Sequence, residues 1–427
     1  MKTVVIQDGT LLTPTGWVEG GYVAVRGDSI VAIGSELPGD LLPDEVVSAK
    51  HCAVIPGLLN GHTHLSQTFM RGLAGGRTLL AWLKERIWPI QNAMTPEILY
   101  LAATLGLLEN LRCGVTHVVN HHKITATPQH TDMVMKAAQE TGLNFTLARS
   151  WADIGSNAES PDAIWEDMKR LYTEWHGKGN IRIADGPLTP WRCSMESLRK
   201  MHALSLDCGS FTHIHVAETQ EEVHMSLRDC GCHPIAWLKQ IGVLDASTQI
   251  VHAVWVGDME IEMLASAGAT VVHCPVSNAV LASGIAPLSS LRSRHIPVRL
   301  GTDGPASGDM QDLWEVIKSA LLFSRASMLD AMAIAPGEAL DLGLSTTGLQ
   351  VGDVATLTVV DLNHCRAMPV YDVGSALALC THGCDVRSVM VNGKFLIRDG
   401  QVLFLDEPAL LQECRQAAQH LRKLAGF

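Results

Sequence analysis

The chain of 427 residues has no excess of positive charge: 32 Lys and Arg stand against 44 Asp and Glu, a net of −12 with histidine neutral. This excludes the broad basic face that a nucleic-acid or anionic-membrane partner requires. Long hydrophobic runs are missing too. The stretch Ile98 to Leu108 is too short to span a bilayer and runs into Glu109 and Arg112. The uncharged stretch Leu264 to Leu291 is interrupted by Pro275, Ser277, Asn278 and Gly284. Met1 to Asp8 alternates polar with apolar and has no secretory core, so a soluble cytoplasmic protein is expected. The eleven cysteines are scattered, and Cys230 and Cys232 are one residue apart, which is no metal-knuckle spacing. They read as reduced, buried thiols. Internal repeats, low-complexity tracts and a Gly-x-Gly-x-x-Gly fingerprint are all lacking, and the last absence argues against a dinucleotide fold. Tyr and Phe are sparse at 4 and 7, whereas histidine reaches 19. With 47% hydrophobic and 18% charged residues the chain has material for a large core.

The two ends differ in texture from the middle. Thr3-Val4-Val5-Ile6, Tyr22-Val23-Ala24-Val25 and Ser29 to Ile33 read as short antiparallel strands with turns at Asp8-Gly9, Gly20-Gly21 and Arg26-Gly27-Asp28. The pattern returns in Thr356 to Val360 and Ser388 to Val391, where Asn392-Gly393 signals a two-residue hairpin. Neither end has enough strands for a stable sheet alone. Residues 1–56 and 346–427 are therefore expected to form one composite β-sandwich, with a closing helix from about Pro408 to Leu424. Between them, residues 57–345 alternate strand and helix. Strand candidates are Ala53–Leu59, Val115–Val119, Asn144–Ala148, Ile181–Ala184, Phe211–Val216, Gln249–Ala253, Thr270–Cys274 and Pro297–Leu300, and helical stretches such as Pro96–Arg112 intervene. Eight βα units point to a closed α/β barrel of the (β/α)8, or TIM, type.

Barrel chemistry sits at the C-terminal ends of the strands. His62-Thr63-His64, Asn120-His121-His122-Lys123, His213 and His215 with Glu218, His252, and Asp303 all fall there. In an extended segment His-x-His turns both imidazoles to one side. A third histidine and a carboxylate complete the shell of one divalent cation, and His62, His64, His215 and Asp303 supply that set. Imidazole-rich ligation suits zinc, with iron the alternative. Such an ion activates water, which then needs a proton acceptor. Glu218 is placed for that role, with His252 to orient the water. A structural zinc site would use closed Cys/His knuckles, which are lacking.

These residues also carry a resemblance. Pro56 through His64 is similar to the opening metal motif of the amidohydrolase superfamily. His215-Val216-Ala217-Glu218-Thr219, the segment Ser277-Asn278 through Gly284-Ile285-Ala286-Pro287, and Gly301-Thr302-Asp303-Gly304 resemble its cytosine deaminase and triazine hydrolase branch. The resemblance runs over nearly the whole chain. It implies a metal-dependent deaminase with ligands His62, His64, His215 and Asp303, Glu218 as proton shuttle and His252 beside the hydrolytic water. Two-metal relatives carry a modified lysine after strand four, whereas Ile183-Ala184-Asp185-Gly186-Pro187 has none, which implies one metal per chain. Thr68 to Leu73, Leu80 to Leu83 and Ile87-Trp88-Pro89 resemble the first substrate loop of methylthioadenosine/adenosylhomocysteine deaminases. Leu188 replaces the histidine expected after Gly-Pro in those enzymes, and Asn120 to Lys123 looks more like the loop of 8-oxoguanine and isoxanthopterin deaminases. Gly308-Asp309 stands where relatives commonly have two asparagines. A purine, pterin or triazine bearing an exocyclic amine is the expected substrate, with the nucleoside as alternative. Homodimers are frequent in the family, so a homodimer is implied.

The substrate residues are read with alternatives open. Gln67 hydrogen-bonds a ring, or is structural. Trp82 and Trp88 stack on a planar ring, or pack in a helical core. One of His121 and His122 is expected in the pocket. Arg149 contacts substrate or makes a rim ion pair. Leu188 lines the wall, and Ser307 bridges substrate and loop or caps a helix. His213 points away from the metal or sits in a deeper layer. Two rival functions are loss of chloride, alkylamine or a cyclic amide bond at the same site, and a binding protein that has lost catalysis.

Overall fold

The computed structural model describes residues 1–73 and 76–426. Its centre is a ring of eight parallel strands in sequence order: Leu58–Thr63, Val115–His122, Asn144–Trp151, Ile181–Pro187, Thr212–Val216, Thr248–His252, Thr270–His273 and Val298–Leu300. Each is almost wholly buried, as expected for parallel strands covered by helices. The seam between the last strand and the first is bridged where Asp303 N–H donates to the His62 carbonyl at 3.0 Å. The seam thus brings two of the expected ligands side by side.

The first strand lies later than its sequence suggests. Cys52–Pro56 pairs antiparallel with Leu357–Asp361 and parallel with Thr3–Thr13, outside the barrel. Barrel pairing begins only at Leu58, whose N–H donates to the Gly114 carbonyl at 3.0 Å. Both segments are buried on both faces, so the apolar run from Cys52 to Leu59 shows no change of period where the chain changes sheet. Only Gly57 marks the crossing, because a methyl group there would overlap the Thr116 side chain.

The chain ends combine into one continuous mixed sheet of nine strands, in which strands from both ends are hydrogen-bonded neighbours. Val4, Ile6, Leu11 and Val23 from one end share a core with Leu357, Val359 and Met390 from the other. Asn392 and Gly393 have φ of 49° and 77°, which gives the left-handed turn between Val386–Val391 and Lys394–Arg398. Helix Pro96–Arg112 has the expected bounds, with Thr95 capping the Ile98 N–H. The closing helix Glu407–Leu424 packs on it through Leu108, Leu410 and Cys414, and Arg112 Nε donates to Glu407 at 2.9 Å. All eleven cysteines are free, and no described helix is long and apolar enough to cross a membrane.

Candidate metal centre and its cavity

Five side chains converge above the C-terminal ends of strands one, five, six and eight. His62, His64 and His215 bring ring nitrogens together, and His62, His252 and Asp303 form an overlapping group. His62 Nε2 lies 3.2 Å from His215 Nε2. Asp303 Oδ1 lies 3.4 Å from His62 Nε2 and 3.3 Å from His64 Nε2. A tetrahedron with metal–ligand bonds of about 2.0–2.1 Å has edges of about 3.3–3.4 Å, so this donor set fits one divalent ion.

What aims each ring is a hydrogen bond on its far nitrogen. His64 Nδ1–H donates to the His121 carbonyl and His215 Nδ1–H to the Leu188 carbonyl, both at 2.7 Å. His252 Nδ1–H donates to Asn278 Oδ1 at 2.9 Å. His62 is held through a relay: His213 Nδ1–H donates to Gln249 Oε1 at 2.9 Å, so His213 Nε2 accepts from His62 Nδ1–H at 2.8 Å. His213 therefore occupies the layer beneath His62, inside the barrel. Every one of the four rings then turns an unprotonated Nε2 inward. Burial favours the neutral form needed for ligation: it lowers His62 to about 4 and pulls His64, His215 and His252 below the ordinary histidine value. Burial acts on Asp303 in the opposite sense, but the facing His62 and His64 outweigh it and hold the carboxyl well below its usual range. Its Oδ2 accepts from Ser277 at 2.5 Å and Ser307 at 3.2 Å, and its Oδ1 from Gly304 N–H at 2.6 Å.

Glu218 is buried at the rim of this group. Its Oε1 accepts from Ser283 Oγ at 3.2 Å, and its Oε2 lies 3.6 Å from His252 Nε2. Burial, reinforced by the Asp303 charge, pushes it up to about 8. Ala217, His252 and Asp303 have φ of 54°, 74° and 60°. Left-handed conformations of non-glycine residues cost roughly 1–3 kcal/mol each and persist where surrounding contacts over-determine them. Here that strain sits at the ends of three strands that all face one cavity.

The cavity has a volume of about 480 Å³ and reaches His64, His215, Glu218, His252 and Asp303 at its floor. Trp82, Trp88, Trp191 and Leu188 form its walls. Gln67 lines it with a buried Oε1 that has no hydrogen-bond partner among the described residues, and so does Trp82 with its indole N–H. Gly304 makes room for the Gln67 amide, which a methyl group there would overlap.

Four expected substrate residues lie elsewhere. Arg149 donates to Asp167 at 2.9 Å and Glu159 at 2.6 Å, so its guanidinium serves a buried ion-pair cluster. His121 and His122 are buried and do not line the cavity, because strand two extends to His122 and no loop begins at Asn120. The His121 ring packs inside the barrel among those of His215, His64 and His62, at 4.5, 5.3 and 5.8 Å, and its carbonyl holds His64. Ser307 holds the Asp303 carboxylate instead of facing substrate. Glu222 and Trp191 were not anticipated. The signal for Glu222 is the capping-box pattern Thr219-x-x-Glu222 directly after Glu218.

Residues 53–396 match the amidohydrolase family. The chain is 33% identical to the 5-methylthioadenosine/S-adenosylhomocysteine deaminase of Haloarcula marismortui over 100% of both chains. It is 33% identical to the 5'-deoxyadenosine deaminase of Methanosarcina acetivorans over 99% of both. Among solved structures, an adenosine deaminase from Xanthomonas campestris with bound zinc superposes with a TM-score of 0.91 at 28% identity, covering 98% of each chain. A zinc complex of atrazine chlorohydrolase from Arthrobacter aurescens has a TM-score of 0.91 at 22% identity, covering 97% of this chain and 100% of that one, a likeness of fold. The chain belongs to the amidohydrolase family. It is a hydrolase acting on carbon–nitrogen bonds, with a divalent-metal site built from histidine and aspartate.

Proposed function

We propose that the protein uses a single zinc ion to release ammonia from the exocyclic amine of an aminated purine carried on a larger substituent, as in adenosine-type nucleosides. The observation that carries this reading is the placement of Glu218 beside the inward-facing nitrogens of four neutral histidines, at the floor of an apolar-walled cavity. Its volume falls in the range of about 300–1,000 Å³ that holds drug-sized ligands. The full-length relatives are deaminases of adenine nucleosides, which favours the nucleoside over a free base.

His62, His64, His215 and Asp303 would hold the metal, which when bound supplies a Lewis acid and lowers the pKa of water. The chain's own groups do the rest. His252, whose Nδ1–H is committed to Asn278, accepts a hydrogen bond from the attacking water on Nε2 and so orients the oxygen toward the ring carbon. Glu218 takes the proton that the water loses and passes it to the ring nitrogen as the carbon–oxygen bond forms. It then assists proton transfer to the departing nitrogen as the carbon–nitrogen bond breaks. A carboxyl pushed up to about 8 can both accept and return a proton near neutral pH. Trp82 and Trp88 flank the ring, Leu188 closes the wall, and the free Gln67 Oε1 and Trp82 N–H match a donor and an acceptor on the heterocycle.

A second reading, a free bicyclic base, pterin or triazine, is favoured by the apolar Leu188 at the wall. Ammonia release from zinc-loaded protein separates the two. Methylthioadenosine, adenosylhomocysteine and adenosine form one arm, and 8-oxoguanine, isoxanthopterin, melamine and ammeline the other. Turnover confined to the second arm removes the nucleoside. Silence on both, with chloride or alkylamine released from substituted triazines, removes deamination itself.

A further inference from the structure

We propose that Glu222 is a positioning residue that ties the acid–base group Glu218 to the Trp191 wall of the substrate cavity. This rests on the role given above to Glu218. Glu222 is the third residue of the helix Gln220–Cys230 and is buried, with 6% of its surface exposed. In an ordinary capping box its carboxylate would serve only the N-cap N–H. Here the bond to Thr219 N–H is the longer one, 3.4 Å, and the shorter, 2.9 Å, goes to Glu218 N–H. Both donors sit on Oε2, while Oε1 accepts the indole N–H of Trp191 at 3.1 Å.

The two oxygens therefore face different tasks. One fixes the peptide from which the Glu218 side chain springs, next to the strained Ala217. The other fixes a tryptophan that lines the main cavity and also a side cavity of about 310 Å³ behind it, which Glu222 lines as well. Trp191 lies in a single turn, Pro190–Arg192, with little other secondary structure to hold it. A substrate pressing on that indole thus meets a ring whose N–H is bonded to the group that holds the backbone of the proton shuttle. An amide at position 222 can still turn its one oxygen to the two N–H groups on the Glu218 side, whereas Glu222→Met offers an oxygen to neither side and gives up both tasks.

The test compares wild type, Glu222→Met, Trp191→Phe and Thr219→Ala, all zinc-loaded. Steady-state kinetics use the best substrate of the panel, and amide hydrogen exchange follows the segment from Ala217 to Glu222. Misplacing a catalytic group by about 1 Å costs about 10²-fold, and Glu222→Met is expected to lower kcat by that order and to raise KM several-fold. Trp191→Phe is expected to raise KM several-fold while leaving the Glu218 amide protected. Thr219→Ala removes the other half of the capping box, where its Oγ accepts from Glu222 N–H at 3.3 Å. It should cost the helix as much as Glu222→Met does, yet keep kcat. An equal fall in kcat for Thr219→Ala reduces Glu222 to a helix cap and overturns the proposal. An unchanged KM in Trp191→Phe overturns the link to the wall. If wild type turns over nothing in the panel, the proposed function fails, but exchange still decides the positioning. A Glu218 amide that exchanges several-fold faster in Glu222→Met supports it, and unchanged protection overturns it.

Discussion

Replacing His213 by leucine tests what aims the first ligand. Both His213 and His62 are completely buried, and the bond between them is 2.8 Å. Leucine fills much of the imidazole's space but accepts no proton. His62 Nδ1–H is then left without a partner, at a cost of roughly 1–3 kcal/mol for a buried unsatisfied donor. The ring escapes that cost by rotating or by moving its proton to Nε2, and either change turns a lone pair away from Asp303 and His215. Loss of such outer partners typically weakens metal binding by about 10–100-fold, which is roughly 1.4–2.7 kcal/mol. The assay is competition for zinc against a chromogenic chelator, with thermal unfolding of the metal-free protein as control. A substitution that merely disturbed packing would lower the unfolding temperature of both forms equally. Zinc affinity within a factor of two of wild type, in a folded variant, would refute the relay from Gln249 through His213 to His62.

Further outcomes are expected from the same geometry. Glu218→Gln keeps its shape and hydrogen-bonding reach but cannot shuttle a proton, so kcat should fall by about 10²–10⁴-fold while zinc content stays stoichiometric by elemental analysis. Gly304→Ala drives a methyl group into the Gln67 amide and should raise KM with zinc content unchanged. Normal KM would remove Gln67 from substrate recognition. Asp185 is buried against Trp151 Nε1 at 2.6 Å and is pushed up to about 7 from 3.8, chiefly by burial. The folded form therefore holds a proton that the unfolded form has lost between those values, and its contribution to stability is present at acid pH and disappears as pH rises through about 7. Compared with wild type, Asp185→Asn should gain in relative stability from pH 5 to pH 8, read as urea midpoints. Parallel midpoints across that window would contradict the assignment.

Much of the site was legible because it depends on alternation along strands. His62 and His64, and His213 and His215, are two residues apart, so each pair faces one side whatever else the chain does. That the deeper histidine of the second pair would hold the first ligand of the other needed the ring to be closed. Substrate residues were harder, for local reasons. His121 turns inward among the rings of His62, His64 and His215 without lining the cavity, and polar residues at a strand end do not reveal where the strand stops. Arg149 finds its partners 10 and 18 residues onward, on the following loop and helix. The barrel's first strand was misplaced because burial on both faces erases the alternation that separates one sheet from another. The helix Pro96–Arg112 was clear in both bounds, with Thr-Pro at its start.

The strand Cys52–Pro56 pairs with Thr3–Thr13 and with Leu357–Asp361, and one residue separates it from the strand that bears His62 and runs into His64. The strand that anchors the His-x-His segment thus gains its second neighbour only when Leu357–Asp361 has docked. Contacts this distant in sequence form slowly. The ion-binding group itself joins residues 62 and 303, so its assembly depends on closure of the whole barrel and not on the His-x-His segment alone.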